Sequence, residues 1–490
     1  MDIAQTLQQA VNLHVSGNLE EAEQGYRKVL SVNPDHPDAI HFMGVLAYNR
    51  GLLDAAKTYI KRAIELIPDN AGCYTNMGNV LQQEGNYPEA VAYYRKSLDL
   101  NRNNKLAQSN LGVAYTKLEQ FGPAVDAFNA AITLDPQYTE AYCNLCETYK
   151  YLGDYDQAEA CCENALSVSP DHVQAHWNLS LLKLLKGDFE NGFKAYEWRW
   201  QRDSTPKRAV TAGERWAGQP LEGKSIFVYE EQGLGDTIQF MRYLPLLREL
   251  GGRVIFEVLP PLIRLVSSYK DLDRLWVAQR NVDTRETDRF DYHIPLLSIP
   301  GIVNTTLDTI PGGSPYLSAD GHLSKIWEKR LGKPDKFKVG VVWAGHPDHK
   351  NDANRSVLLS YFRPMADMED IALFSIQKDK YEKWTDTDPA EVFDKDLGEE
   401  ICDFSDTAAI IDNLDLVISV DTSVVHLAGA LGKTTWTLLP FSPDWRWMLD
   451  RNDSPWYPSM TLFRQPSHGD WDSVFDKINA SLFGMLEKKR

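Results

Sequence analysis

One spacing dominates the first two fifths of this chain and restricts what that part can fold into. Prolines recur on a 34-residue register that only Arg102 interrupts, and alanines share a second register with the same period. The prolines are Pro34, Pro68, Pro136 and Pro170, and the alanines are Ala22, Ala56, Ala90, Ala124 and Ala158. A fixed period of this length is typical of stacked helical hairpins. The pattern therefore predicts two antiparallel helices in each repeat.

Six hairpins are expected in this array, and they resemble tetratricopeptide repeats, which usually hold another polypeptide. The expected starts are Ile3, Pro37, Ala71, Lys105, Thr139 and Val173. Gly44, Gly78 and Gly112 share a register and allow the two helices of a repeat to approach closely. The sixth unit departs from the pattern at Gly192 and ends in the run Trp198-Arg199-Trp200. Terminal repeats are commonly atypical, here by packing on the next domain.

Four asparagines repeat at the same interval on the first helix of successive units: Asn76, Asn110, Asn144 and Asn178. In such superhelices this helix lines the concave wall. An asparagine side chain both donates and accepts, so a ladder of them can pair with the backbone of an extended peptide. The protein O-linked N-acetylglucosamine transferases resemble this chain in having such a ladder. The alternative is that asparagine is simply common at this consensus position, and the residues leave both interpretations open.

Composition narrows the function classes. The chain has 490 residues and a formal net charge of −18, which argues against broad nucleic-acid binding because phosphate attraction needs excess Lys and Arg. The N-terminus does not resemble a secretory signal, and no apolar run approaches the roughly 20 residues that span a bilayer. We therefore expect a cytoplasmic protein.

The cysteines predict no metal centre and no redox site. Cys143 and Cys146 form a C-x-x-C pair, but the pair lies inside a predicted helix and no second ligand pair follows at zinc-site spacing. Small buried residues at helix-packing positions are the expected explanation. No metal or cofactor is assigned to this chain.

The period is lost after residue 200, and strands alternate with helical stretches from Gly223 onward. Such alternation predicts parallel sheets covered by helices. Predicted strands are Ser225–Tyr229, Arg253–Val258, Leu275–Ala278, Tyr292–Leu296, Phe337–Trp343, Ala372–Ile376, Leu416–Val420 and Thr434–Leu439. The expected domains are a repeat array (1–200), a linker (201–222), a first Rossmann-like lobe (223–320), a second lobe (335–465) and a C-terminal helix (466–490). Ligands of such sheets bind at the carboxyl ends of strands, so the cleft between two lobes is the expected site.

Three clusters of residues follow predicted strands. The first contains Gly233, Gly235 and Asp236, directly after a strand and at the start of a helical stretch. Two glycines permit a tight turn and close approach of the backbone to a ligand. The alternative is that Asp236 only caps the helix.

The second cluster follows Val342 and contains Gly345, Lys350 and Arg355. Lysine and arginine in a loop of this kind can clamp phosphate, and arginine can do so with two hydrogen bonds. Neighbouring histidines lack a complete metal-ligand set.

The third cluster contains Asp421, Thr422, Ser423 and His426, where a buried strand leads into a helix. The first turn of a helix offers unpaired N–H groups and the positive end of the dipole, which favours an anion. His426 lies one turn further on and could reach the same ligand. Capping of the helix by Thr422 and Ser423 alone is the alternative.

Together the clusters resemble the heptosyltransferase-like glycosyltransferases, a GT-B family with two facing Rossmann lobes. The resemblance implies that Gly235-Asp236 carries the catalytic base on the acceptor side. It also implies that Asp421 to His426 hold the donor's diphosphate on the nucleotide-sugar side, with Arg355 or Lys350 as cation. The following run Pro440–Trp447 fits a subgroup with preceding tetratricopeptide repeats, some members of which are implicated in flagellin glycosylation, and there Trp445 or Arg446 could contact donor or acceptor.

The resulting hypothesis is an all-α tetratricopeptide superhelix followed by an α/β GT-B-like pair of Rossmann lobes. It predicts a metal-independent, inverting glycosyltransferase that uses a nucleotide-sugar as substrate. The acceptor would be a Ser or Thr hydroxyl of a polypeptide held by the repeats, with flagellin as one candidate. Two alternatives stay open: a non-catalytic repeat scaffold with a sugar-nucleotide-binding remnant, and a glycan or lipopolysaccharide glycosyltransferase.

Overall fold

A computed structural model describes residues 2–205, 210, 212–278, 289–333, 335–349, 351–379 and 382–489. The chain divides into two compact units, Met1–Leu179 and Ser180–Arg490. We call them the repeat unit and the α/β unit. The division falls inside the stretch that the sequence assigns to the array, because the end of the array from Ser180 onward belongs to the α/β unit.

Twelve repeat helices form six hairpins among the described residues, and each hairpin begins at its predicted residue. The helices are α1 (Ile3–Val15), α2 (Leu19–Val32), α3 (Pro37–Asn49), α4 (Leu53–Leu66), α5 (Ala71–Gln83), α6 (Tyr87–Leu100), α7 (Lys105–Lys117), α8 (Phe121–Leu134), α9 (Thr139–Leu152), α10 (Tyr155–Val168), α11 (Val173–Leu185) and α12 (Phe189–Tyr196). The prediction of a helical superhelix for the N-terminal part is confirmed.

Close helix packing within the repeats depends on the periodic glycines, as predicted. A Cβ atom at Gly78 would lie 2.5 Å from Cε1 of Tyr94, and one at Gly112 would lie 2.7 Å from Cε1 of Phe128. Real Cβ atoms do not approach other atoms so closely, so a larger residue would push the two helices of a repeat apart.

The first sheet of the α/β unit contains five parallel strands in the order β1-β5-β2-β3-β4. The strands are β1 (Glu214–Arg215), β2 (Ser225–Tyr229), β3 (Arg253–Val258), β4 (Arg274–Val277) and β5 (Tyr292–Pro295). Part of the stretch 201–222 thus joins this sheet as an edge strand. Trp216, which follows β1, is buried.

The second sheet contains six parallel strands in the order β11-β10-β9-β6-β7-β8. The strands are β6 (Phe337–Val342), β7 (Ile371–Ser375), β8 (Lys395–Asp396), β9 (Leu416–Val420), β10 (Thr435–Leu439) and β11 (Met460–Arg464). All eight predicted strands are present to within one residue at each end. The prediction of parallel α/β architecture is therefore confirmed for this part of the chain.

Helices connect and cover these strands. They are α13 (Leu234–Phe240), α14 (Leu244–Glu249), α15 (Ile263–Val266), α16 (Ile299–Ile302), α17 (Gly321–Leu331), α18 (Asp352–Arg355), α19 (Arg363–Ala366), α20 (Phe404–Asp412), α21 (Ser423–Ala430) and α22 (Trp471–Lys489). Helix α22 packs on the core of the second sheet, and its Phe475 also stacks on Tyr361 of a short 3-10 helix with ring centroids 4.8 Å apart.

Two further features concern the described ranges. None of their helices combines the length and the apolar character that crossing a membrane requires. Cys143 and Cys146 are buried in α9, at helix-packing positions as predicted, and Cys402 is exposed.

Candidate active site

The loop after β2 carries the first predicted cluster. Gly233 precedes α13, and Asp236 lies in the first turn of that helix. The Asp236 carboxylate accepts a hydrogen bond from the Gly233 N–H through Oδ2 at 2.8 Å. Asp236 does contribute to capping of α13, which is the alternative role that the sequence left open. Capping occupies only one of its two carboxylate oxygens.

The other oxygen of Asp236 accepts from Arg446, a contact that joins the first sheet's loop to a loop of the second. Arg446 lies in a short 3-10 helix, Trp445–Trp447, which follows β10. Its Nη2 donates to Asp236 Oδ1. Its Nη1 donates to Asp444 Oδ1 at 2.8 Å and its Nε donates to Gln239 Oε1 at 2.7 Å. Arg446 is thus a buried cation that bonds three partners and holds the Asp236 carboxylate in place.

Asp236 retains capacity for a substrate. An ionised carboxylate offers about four lone-pair positions, and Gly233 and Arg446 use two of them. The side chain also keeps 18% of its surface exposed. A hydroxyl group could therefore still donate a hydrogen bond to Asp236.

The third cluster lies against the first. Thr422 caps α21 by accepting from the Val424 N–H through Oγ1 at 3.4 Å. A Cβ at Gly235 would lie 2.9 Å from Cδ2 of His426 and 3.3 Å from Cα of Ser423. The starts of α13 and α21 therefore touch at Gly235, where only a glycine fits without displacement.

His426 is a buried neutral imidazole. Its Nδ1 lies 3.0 Å from the Tyr457 hydroxyl, and its ring stacks on Trp447 with centroids 5.4 Å apart. Burial and the charge of Arg446 lower the pKa of His426 to about 3. At neutral pH the ring can offer a hydrogen bond to a ligand but no positive charge.

The second cluster reaches the third through Arg355. Arg355 Nη1 donates to the backbone oxygen of Asp421 at 2.8 Å, and its guanidinium lies directly on Gly345, where a Cβ would overlap it. Its Nε lies 3.6 Å from Asp352 Oδ1, too far for a hydrogen bond. Lys350, the other predicted phosphate cation, lies outside the described residues.

Two carboxyl groups beside this site differ in acidity. Burial, together with the charge of Asp444, raises the pKa of Asp421 to about 6 despite the opposing charge of Arg355. Burial also disfavours ionisation of Asp444, but the charge and hydrogen bonds of Arg446 hold the pKa of Asp444 below its usual value. Near neutral pH, Asp421 is therefore the group that changes charge.

The predicted asparagines occupy the repeat unit and differ in their hydrogen bonds. Asn76 Nδ2 lies 2.8 Å from Nε2 of His41, and Asn110 Nδ2 donates to Oδ1 of Asn79 at 2.8 Å. Asn178 is buried, and its Oδ1 accepts from Gln174 in the same helix. Asn76, Asn110 and Asn144 are partly exposed. Three of the four carboxamides can therefore meet a ligand of the repeat unit.

Sequence reasoning placed Asp236 but did not find its partner. From the sequence, Arg446 is expected only as a contact to donor or acceptor. The signal for a larger role is its position after a strand, in an aromatic-basic run. Trp445 is buried, with its ring beside Tyr196 and Phe240, so its role here is packing.

The chain combines an N-terminal array of helical hairpins with an α/β unit of two parallel sheets. Models of the tetratricopeptide repeat match residues 71–104 and 139–172, and a second such model matches 37–70 and 107–138. The chain thus contains tetratricopeptide repeats, which typically bind peptide partners.

The match to one curated relative is longer than a single repeat. Protein FlbA of Caulobacter vibrioides is 26% identical over 327 residues, and the match covers 61% of this chain and 53% of that protein. The chain spans about half the length of this relative.

Among solved structures, the chain is similar to YrrB, described as a TPR protein with an unusual peptide-binding site. The two are 24% identical, with 35% of this chain and 88% of that chain covered and a TM-score of 0.30. PilW, a type IV pilus biogenesis factor, is 19% identical, with 41% of this chain and 93% of that chain covered and a TM-score of 0.38.

Proposed function

We propose that the α/β unit is a GT-B glycosyltransferase that moves a sugar from a nucleotide-sugar to a Ser or Thr hydroxyl of a polypeptide held by the repeats. The observation that carries this proposal is the meeting of α13 and α21 at Gly235. Gly235, the residue before Asp236, lies against Ser423 at the start of α21, and such a helix start is suited to an anion.

In the proposed reaction the acceptor hydroxyl donates a hydrogen bond to a free lone pair of Asp236. As the hydroxyl oxygen attacks the anomeric carbon, Asp236 takes its proton and the bond to the donor's phosphate breaks. General-base assistance of this kind contributes roughly 10²–10⁴-fold to the rate. Attack from the face opposite the phosphate inverts the sugar carbon.

Negative charge grows on the departing nucleotide phosphate during this step. The first turn of α21 and the guanidinium of Arg355 are the fixed positive groups that would stabilise it. They would supply the charge that a divalent metal supplies in other transferases, so the proposed reaction is independent of metal. Lys350, which precedes Arg355 in the sequence, is a second candidate cation.

Acceptor recognition is assigned to the repeat unit. Tetratricopeptide repeats typically bind peptides, and the carboxamides of Asn76, Asn110 and Asn144 can pair with a peptide backbone. We propose a cytoplasmic protein acceptor, with flagellin as one candidate to test. The direct test is intact-mass analysis of candidate acceptors from cells with and without this protein. A mass increment on a polypeptide supports the proposal, and an increment confined to a glycan would assign the enzyme to glycan synthesis.

A scaffold without catalysis is the second candidate, and the pairing of Asp236 with Arg446 favours it because this ion pair alone would stabilise the contact between the two sheets' loops. The two candidates differ in nucleotide release. A transferase releases nucleotide from at least one member of a panel of UDP-, GDP-, ADP- and CMP-sugars, and a scaffold releases none while still binding its peptide.

A further inference from the structure

The end of the last repeat packs against the loop that precedes Asp236. This capping segment consists of α12 and the following 3-10 helix, Glu197–Gln201, and it belongs to the α/β unit. Phe189 stacks on Trp456 with ring centroids 5.5 Å apart, and Phe193 meets Trp445 edge to face at 5.8 Å. These aromatic contacts fix the segment to the loops that follow β10.

Arg199 connects the capping segment to the loop after β2. Its side chain is 1% exposed, and its Nε and Nη2 each donate to Glu231 at 2.8 Å, to Oε2 and Oε1 respectively. The Leu297 N–H also donates to Glu231 Oε1 at 3.0 Å. A buried bidentate pair with this third donor allows Glu231 one position, because any shift leaves a buried charge poorly paired.

The next residue of the loop is held by a second contact from the capping segment. The Tyr196 hydroxyl lies 2.9 Å from Gln232 Nε2 and 3.2 Å from its Oε1. Gln232 has a φ of +65°, in the left-handed region that residues other than glycine occupy only when their surroundings enforce it. The contacts at Glu231 and Gln232 therefore enforce the turn.

The turn delivers the backbone group that orients Asp236. Gly233 follows Gln232 directly, and its N–H donates to Asp236 Oδ2. A change in the backbone of Gln232 would redirect this N–H and release one side of the carboxylate. The path from repeat to carboxylate thus runs through Tyr196, Gln232 and Gly233.

We propose that Tyr196 and Arg199 are positioning residues for Asp236, so that the last repeat helix completes the transferase site. This inference rests on the proposed function of the α/β unit. It predicts that loss of either contact lowers turnover and leaves the affinities for donor and peptide unchanged, since neither residue is assigned to bind a substrate.

The test uses the full chain with Tyr196→Phe, which removes one oxygen, and Arg199→Lys, which keeps the charge and loses the bidentate geometry. Tyr26→Phe is the matched control, because it also removes a buried tyrosine hydroxyl, one that lies 3.0 Å from His14 in the first repeat. Hydrogen–deuterium exchange of residues 230–240 reports the loop without any need for a donor. Nucleotide release from the panel of UDP-, GDP-, ADP- and CMP-sugars reports kcat and KM.

We expect faster exchange at residues 230–240 in both variants but not in Tyr26→Phe. We also expect kcat to fall about 10-fold or more with KM unchanged, because displacement of a reacting group by about 1 Å can cost roughly 10²-fold in rate. Unchanged exchange and unchanged kcat in both variants would overturn the positioning proposal. If the wild-type chain releases no nucleotide from any donor while the variants still show faster exchange, the transferase function fails and the loop contact stands.

Discussion

In the repeat unit, polar side chains bond along the stack between neighbouring helices, whereas in the α/β unit they bond between loops of two sheets. Asn110 and Asn79 are 31 residues apart and join neighbouring repeats, but Arg446 and Asp236 are 210 residues apart and join two sheets. The first arrangement follows from a period and includes neutral amides as well as exposed or half-buried ion pairs, such as Arg50 with Glu23. The second depends on long-range folding and holds a charged pair that is largely buried. The proposed function assigns peptide binding to the repeat unit and chemistry to the α/β unit, so a mutation in each should have its own signature.

The largest contrast is expected between Asp236→Asn and Asn110→Ala. Asp236→Asn keeps the shape but removes the base, so turnover should fall by roughly 10²–10⁴-fold with peptide affinity unchanged. Asn110→Ala removes a neutral hydrogen-bonding group worth about 1 kcal/mol, so peptide affinity should fall about 5-fold with turnover of bound peptide unchanged. Initial rates and calorimetric titration of one acceptor peptide measure both quantities. Equal losses of affinity in the two variants would break the division of roles.

The next contrast uses a glycine of each unit. Gly235→Ala forces a Cβ against His426 and Ser423, so we expect about 1–3 kcal/mol loss of unfolding free energy together with loss of turnover. Gly78→Ala forces a similar clash on Tyr94 and should destabilise the repeat unit without abolishing donor turnover. Gly122→Ala is the control, since its Cβ meets no atom within 4 Å. Urea denaturation and donor turnover measure the effects, and a stable, active Gly235→Ala variant would contradict the close contact of α13 and α21.

A smaller effect should depend on pH and be confined to the α/β unit. The pKa of Asp421 is raised to about 6, so the folded protein favours its protonated form and ionisation of Asp421 opposes folding. The contribution of protonated Asp421 to the free energy of unfolding is fully present below the unfolded pKa and is lost as the pH rises through about 6. Asp421→Asn should therefore stabilise the protein at about pH 7.5 and do so less at about pH 5. Asn110→Ala should show no such pH dependence. Urea midpoints of the wild-type chain and Asp421→Asn at the two pH values measure this effect. A stabilisation by Asp421→Asn that grows towards pH 5 would contradict a raised pKa of Asp421.

The smallest expected effect is that of metal removal. Because Arg355 and the start of α21 are assigned the role of stabilising the leaving phosphate, EDTA should leave the initial rate of transfer unchanged. A rate that falls with EDTA and returns with Mg²⁺ or Mn²⁺ would show that the positive charge at the phosphate comes from a metal. Arg355→Met provides the comparison, since it should lower the rate whether or not EDTA is present.

In the repeat unit, the sequence predicts the helices well but not the hydrogen-bond partners of their side chains. The period identified every hairpin start, because each repeat packs through the same small residues, such as Gly78. It also placed Asn76 and Asn110 on one register, but not the bonds to His41 and Asn79, which stand outside that register. A periodic pattern predicts the backbone structure but not the hydrogen-bond partners of the side chains.

In the α/β unit, strand–helix alternation predicted the sheets and the loops that would carry polar residues. Two-residue strands such as β1 and β8 have no pattern to reveal them, and both lie at sheet edges. The partner of Asp236 could not be predicted, because no local signal connects it with Arg446. The sequence places Arg355 and Gly345 in one cluster but does not predict that they touch. That contact depends on how the chain folds back after β6.

In the proposed function, the repeats hold a polypeptide while Asp236 assists sugar transfer to it. Intact-mass analysis of purified flagellin, incubated with a nucleotide-sugar panel and either the wild-type chain or Asp236→Asn, tests this function directly. We predict a sugar-sized mass increment with the wild-type chain and none with Asp236→Asn, while both chains bind the acceptor equally. An equal increment with both chains would contradict the role of Asp236, and no increment on flagellin or any other bound polypeptide would contradict the transferase function.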